Sequence, residues 1–135
     1  MKYFTFQFPG TMDSLGTVAA FIQQVFQTAA VPDLPDDFIE NISLVASEAV
    51  TNAIRYGAGG EEDLLSVTME VTKRFVSLRV MDRGPGFEPN DVISPDLDYP
   101  AEGGYGIFII KSLMDEVTYI RGDDVNFMVM VKRFG

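Results

Sequence analysis

Glu48 and Asn52 stand four residues apart in Ser47-Glu48-Ala49-Val50-Thr51-Asn52, beside the apolar positions Val45, Ala46, Ala49, Val50 and Ala53. On a helix that spacing puts a carboxylate and an amide on one face, one turn apart. Two polar groups at the edge of a buried face want a reason; taken alone, the pair reads first as an exposed border to the core. A second candidate is Asp82-Arg83-Gly84-Pro85-Gly86-Phe87, which follows an apolar run. A carboxylate at a strand end accepts a hydrogen bond from an amino group, and alternate glycines suit a backbone that turns sharply or approaches something flat. The plainer alternative is a tight turn around a satisfied Asp. The third is Glu102-Gly103-Gly104-Tyr105-Gly106-Ile107. Its glycines would leave N–H donors uncovered at the positive end of a helix, a seat for phosphate, or would serve only as a hinge.

What the chain lacks narrows the chemistry further. It contains no Cys and no His, which removes thiol nucleophiles, Cys/His zinc sites, Ser-His-Asp catalysis and phosphohistidine. A general base must then be Asp, Glu, Lys, Tyr or water. A formal charge of -10 argues against direct binding to nucleic acid or to an anionic membrane. It does not oppose a nucleotide, since Mg²⁺, backbone N–H groups and a helix N-terminus neutralise phosphates without basic side chains. No apolar run reaches the roughly 20 residues of a membrane span, and Met1-Lys2-Tyr3-Phe4-Thr5 lacks signal-peptide anatomy, so a cytoplasmic location is expected.

The elements that must position these groups are legible from periodicity. At 135 residues with 47% hydrophobic content the chain can bury one core, and a single domain over 1–135 is expected. Lys2 to Phe8 alternates polar with aromatic and meets Pro9-Gly10, predicting a strand and a turn. Leu15, Val18, Ala19, Ile22, Val25 and Phe26 predict a helix ending near Ala30, with Asp13 or Ser14 as its cap. Phe38, Ile42, Val45, Ala46, Ala49, Val50, Ala53 and Ile54 predict a second helix, capped by Asp36 and stopped at Gly57; it carries Glu48 and Asn52. Leu64 to Val71 and Phe75 to Val80 predict two strands joined at Lys73-Arg74. Between Asp82 and Gly104 lie four prolines, four glycines and six acidic residues, predicting a long ligand-covering loop. Gly106 to Met114 predicts a third helix. Glu116 to Ile120 and Asn126 to Phe134 predict a hairpin over Arg121-Gly122-Asp123-Asp124.

The order of these parts is more telling than any one of them: a helix with E-x-x-x-N, a strand into D-x-G-x-G-F, a loop, then G-G-x-G opening a helix. It resembles the Bergerat-fold ATPases of the gyrase, heat-shock chaperone and histidine-kinase superfamily (GHKL). Ser47 to Gly57, Gly103 to Ile110 and Leu113-Met114-Asp115-Glu116-Val117 look like the anti-sigma factor serine/threonine-protein kinases of the RsbW type, and the likeness extends to Phe8-Pro9-Gly10. Tyr56 stands where such kinases commonly carry a histidine.

The resemblance implies an α+β fold, a two-layer sandwich with a mixed, mostly antiparallel sheet covered on one face by three helices. It implies that Asn52 ligates Mg²⁺, that Asp82 accepts from the adenine amino group, and that Gly84 and Gly86 pass under the base. The N–H groups around Gly104 and Gly106 would hold the phosphates of ATP, and Glu48 would be the general base. The partners it implies are a STAS-domain anti-sigma antagonist as phosphoacceptor, a sigma factor, and a second copy of the chain in a homodimer. The alternative function is an ATP-binding switch without phosphoryl transfer, motivated by the absence of Lys and Arg from Glu88 to Gly103. Arg55 is expected as an exposed, salt-bridging arginine.

Overall fold

The computed structural model describes residues 2–56, 60–85 and 104–134. Five strands and three helices follow one another: β1 (Lys2–Gly10), α1 (Leu15–Ala29), α2 (Phe38–Tyr56), β2 (Gly60–Val71), β3 (Phe75–Asp82), α3 (Gly104–Leu113), β4 (Glu116–Arg121) and β5 (Asn126–Arg133). The strands form one sheet in the order β1-β2-β3-β5-β4. All four pairings are antiparallel, so the parallel component implied by a mixed sheet does not occur among the described residues. The connections explain this, because β2–β3 and β4–β5 are hairpins and β3 pairs with the strand of the second hairpin that returns beside it.

Alternation decides which face of the sheet is buried. Phe8 on β1, Leu65, Val67, Met69 and Val71 on β2, Val76, Leu78 and Val80 on β3, and Met128 and Met130 on β5 are buried together. Against them lie Val18, Ile22, Val25 and Phe26 of α1, seven apolar residues of α2 from Phe38 to Ala53, and Ile107 and Ile110 of α3. Full burial of each Val, Leu, Ile, Phe or Met side chain among them contributes about 1.5–3 kcal/mol. Stacked rings at Phe6 and Phe21, 5.3 Å apart, tie β1 to α1; edge-to-face pairs of Phe38 with Phe26 and Phe134 tie α2 to α1 and to the C-terminal end.

Several boundaries differ from the periodicity reading for local reasons. A 3₁₀ turn, Met12–Ser14, precedes α1, and the Ser14 hydroxyl donates to the Pro9 carbonyl at 2.8 Å instead of capping the helix. Residue Asp37, in the left-handed region at φ 62°, precedes α2 in place of the expected Asp36, and its carbonyl accepts the Asn41 N–H. β2 starts at Gly60, ahead of Leu64, and β3 continues to Asp82, because pairing with β1 and β5 continues past the apolar runs. α3 starts at Gly104 and not at Gly106. At the β2–β3 turn the Thr72 hydroxyl accepts the N–H groups of Arg74 and Phe75, which closes the expected hairpin over Lys73 and Arg74. No described helix is long and apolar enough to cross a membrane.

Candidate functional site

α2 is the central helix of the site, packed against α1, α3 and β3. Its apolar stripe faces the core, and Asn52 lies at the edge of that stripe with 2% of its surface exposed, while Glu48 one turn earlier is half-buried. Asn52 Nδ2 is buried without a hydrogen-bond partner. An unpaired buried donor costs about 1–3 kcal/mol, so an amide in this state needs a ligand or water to complete it.

The glycine at 106 explains how α3 comes so near. A Cβ at that position would lie 2.9 Å from Glu48 Oε2, 3.2 Å from Asn52 Nδ2 and 3.5 Å from Asn52 Oδ1. Both side chains of the E-x-x-x-N pair therefore reach the same point on the first turn of α3, and only a residue without a side chain leaves them there. That first turn begins at Gly104, where a helix has N–H groups free of intrahelical partners and a positive dipole end.

The second part of the site is at the end of β3. Asp82 is 3% exposed, and register pairs it with Asn126 on β5. Asp82 Oδ1 accepts the Gly84 N–H at 3.0 Å and Asn126 Nδ2 at 2.9 Å. Asn126 Nδ2 also donates to the Gly84 carbonyl at 2.8 Å, and Arg121 Nε donates to the Pro85 carbonyl at 2.9 Å. The start of the D-x-G-x-G segment is thus a fixed turn with a buried carboxylate inside it.

Among the expected site residues, Glu48, Asn52 and Gly106 come together, and Asp82 and Gly84 come together. Gly104 opens α3. Gly86 and the long loop lie outside the described residues. Arg55 is exposed in the last turn of α2, and the ion pairs among the described residues, Lys132–Asp115 and Arg133–Glu116, do not involve it. Asn126 and Arg121 were not singled out by motif. A signal for Asn126 exists in the sequence, since it is the polar member of the inward-facing series with Met128 and Met130.

The donor set suits magnesium. No group of three or more acidic side chains converges among the described residues, which excludes an all-carboxylate cage there. Mg²⁺ is commonly held by one or two protein oxygens together with substrate phosphates and waters. Asn52 Oδ1, near Gly106 with the Glu48 carboxylate and the start of α3, is an oxygen of the kind that demand calls for, while the unpaired Asn52 Nδ2 is a donor for a ligand oxygen or water.

The histidine kinase-like ATPase domain matches residues 8–132. Serine-protein kinase RsbW of Staphylococcus epidermidis is 27% identical over 138 residues, covering 95% of this chain and 85% of the relative. The Staphylococcus aureus protein of the same name is 28% identical over 127 residues, covering 87% and 78%. Among solved structures, the RsbU and RsbW domains of Rv1364c from Mycobacterium tuberculosis superpose with a TM-score of 0.70 at 17% identity, over 98% of this chain; the chain spans 32% of that longer one. The histidine kinase domain of the blue-light activated EL346 from Erythrobacter litoralis gives a TM-score of 0.55 at 19% identity, covering 92% of this chain and 60% of that one. These two structures speak for the fold.

Proposed function

The chain belongs to the histidine kinase-like ATPase domain family, and on that premise we propose that it is an ATP-dependent serine/threonine protein kinase acting as an anti-sigma regulatory factor. One cytoplasmic domain over residues 1–135, paired with a second copy, takes Mg-ATP and passes the γ-phosphate to a STAS-domain anti-sigma antagonist. A sigma factor is its other partner. The observation that carries the reading is the convergence of Glu48 and Asn52 on Gly106. The relatives named serine-protein kinase support the direction of the transfer, to a protein hydroxyl.

The roles follow from the donor chemistry. Asp82 has one oxygen committed to Gly84 and Asn126 and offers the other to the adenine amino group, while Gly84 and Gly86 let the base approach the backbone. N–H groups at the start of α3, around Gly104 and Gly106, hold the phosphates. Asn52 supplies its amide oxygen to Mg²⁺, whose contribution when bound is to draw negative charge off the phosphates. Glu48 takes the proton of the attacking serine or threonine hydroxyl; the new O–P bond forms as the bond to the ADP oxygen breaks.

A second reading has its own observation. Residues 88–103 carry no Lys or Arg, so the chain brings no cation from that segment to the moving phosphoryl group. A switch that binds ATP without transferring phosphate is consistent with that composition.

The deciding experiment is calorimetric titration of Mg-ATP into the wild type and Asp82→Asn, followed by transfer of labelled phosphate to a cognate STAS-domain protein. Asn at 82 would turn a donor toward the adenine amino group, so binding is expected to weaken by about tenfold or more. No binding by folded wild type would overturn the nucleotide reading. Binding without transfer would leave the switch.

A further inference from the structure

Asn126 and Arg121 face each other across the mouth of the β4–β5 hairpin, as register partners. Each sends a side-chain donor out of its own hairpin to the same short segment: Asn126 Nδ2 to Asp82 Oδ1 and the Gly84 carbonyl, Arg121 Nε to the Pro85 carbonyl. The orientation of the Asn126 amide is not free. Both partners at its inner edge are acceptors, so only the nitrogen can sit there; the flipped amide would set three oxygens against one another. Asn126 is 1% exposed, and its Oδ1 has no partner. A side chain buried in that state, on a strand otherwise filled inward by Met128 and Met130, is kept for what its nitrogen holds.

We propose that Asn126 and Arg121 are positioning residues, a clamp from the terminal hairpin that fixes the Asp82–Pro85 turn and aims the free Asp82 oxygen at the 6-amino group of a purine. The inference rests on the nucleotide reading given above. By engaging Oδ1 from two sides, the Gly84 N–H and Asn126 Nδ2 set the rotation of the carboxylate, so its second oxygen points in one direction. The Pro85 carbonyl, held by Arg121, anchors the segment just before Gly86. Preference for adenine over a 6-oxo purine then depends on residues that need not touch the base. A base with a carbonyl at position 6 would present an acceptor to a carboxylate held where it cannot turn away.

The test compares Mg-ATP with Mg-ITP, which carries a 6-oxo base, in the wild type, Asn126→Asp and Arg121→Ala, by calorimetry at pH 8 with circular dichroism as the check on folding. Asn126→Asp keeps the shape and replaces the donor by an acceptor. Wild type is expected to prefer ATP by about tenfold or more, the strength of a hydrogen bond to a charged group. Asn126→Asp is expected to bring the ratio to within about threefold of unity, and Arg121→Ala, at an exposed position, to reduce it by about two- to threefold. A purely structural role would lower both affinities together and leave the ratio alone. Folded variants that keep the wild-type ratio overturn the clamp; if Asn126→Asp does not fold, Arg121→Ala decides by the same ratio. Wild type that binds both nucleotides equally overturns the clamp and the role of Asp82, whereas wild type that binds neither overturns the nucleotide reading itself.

Discussion

At the α2–α3 end of the site Asn52 buries an amide nitrogen with no partner, whereas at the β3–β5 end Asp82 Oδ1 already accepts two hydrogen bonds from the protein. The first end is held open by an absence, the missing side chain of Gly106. The second is held closed by Asn126 and Arg121. On the proposed reading this difference suits the two halves of one ligand. A base is rigid and uncharged, so a carboxylate fixed in advance recognises it at little cost in ordering. A polyphosphate with its cation brings its own charge and coordination, so the protein leaves donors and acceptors for the ligand to complete.

Removing Glu48 tests the open end most severely. Glu48→Gln is expected to lower phosphate transfer by about a hundred- to ten-thousandfold, the range for a general base, with Mg-ATP affinity little changed; undiminished labelling of the partner protein would remove Glu48 from the chemistry. Asn52→Ala comes next. Loss of a direct metal ligand should weaken Mg-dependent ATP binding by about a hundredfold while binding measured with EDTA changes far less, and equal losses in both conditions would break the assignment.

Gly106→Ala sharpens the contrast between stability and function. The added Cβ would meet the ends of two flexible side chains, not backbone, so the fold should hold, with a helix-propensity gain of up to about 1 kcal/mol. Glu48 and Asn52 must move to admit it, and Mg-ATP affinity is expected to fall by about tenfold. A thermal melt and a titration on the same sample separate the two; unchanged affinity would show that the close approach of α3 is only packing.

The smallest effect is a control far from both ends. The Asp115 carboxyl is held below its ordinary pKa of 3.8 chiefly by the Arg133 backbone N–H, at 2.7 Å, with Lys132 and Arg133 adding their charges and burial opposing. A folded value below the unfolded one means that the unfolded state binds the proton first as pH falls. This contribution to stability is therefore present above pH 3.8 and is lost as pH drops through the folded value. The group is exposed, so Asp115→Asn should lower Tm at pH 7 by no more than a few degrees, about the effect of 1 kcal/mol or less, and the gap should close only once the pH is below the folded value. ATP binding should not respond.

Periodicity and composition were enough for the elements and for one end of the site. Glu48 and Asn52 share a face because a helix repeats every 3.6 residues, and the Phe38 to Ile54 stripe reports that helix without any tertiary information. The hairpins at Lys73-Arg74 and Arg121 to Asp124 follow from alternation broken by turn residues, and the family likeness was carried by motifs that are local runs of sequence. Other features came from pairings between distant residues. That α3 approaches α2 closely enough for Gly106 to matter, that β3 extends to Asp82, that every described pairing is antiparallel, and that Ser14 serves Pro9 instead of its helix are outcomes of packing. Asn126 is the clearest case. Its residue type and parity mark it as an inward polar group, but the partner that explains it is 44 positions earlier in the chain. Local rules specify which way a side chain faces; only the register of β3 against β5 decides what it meets there.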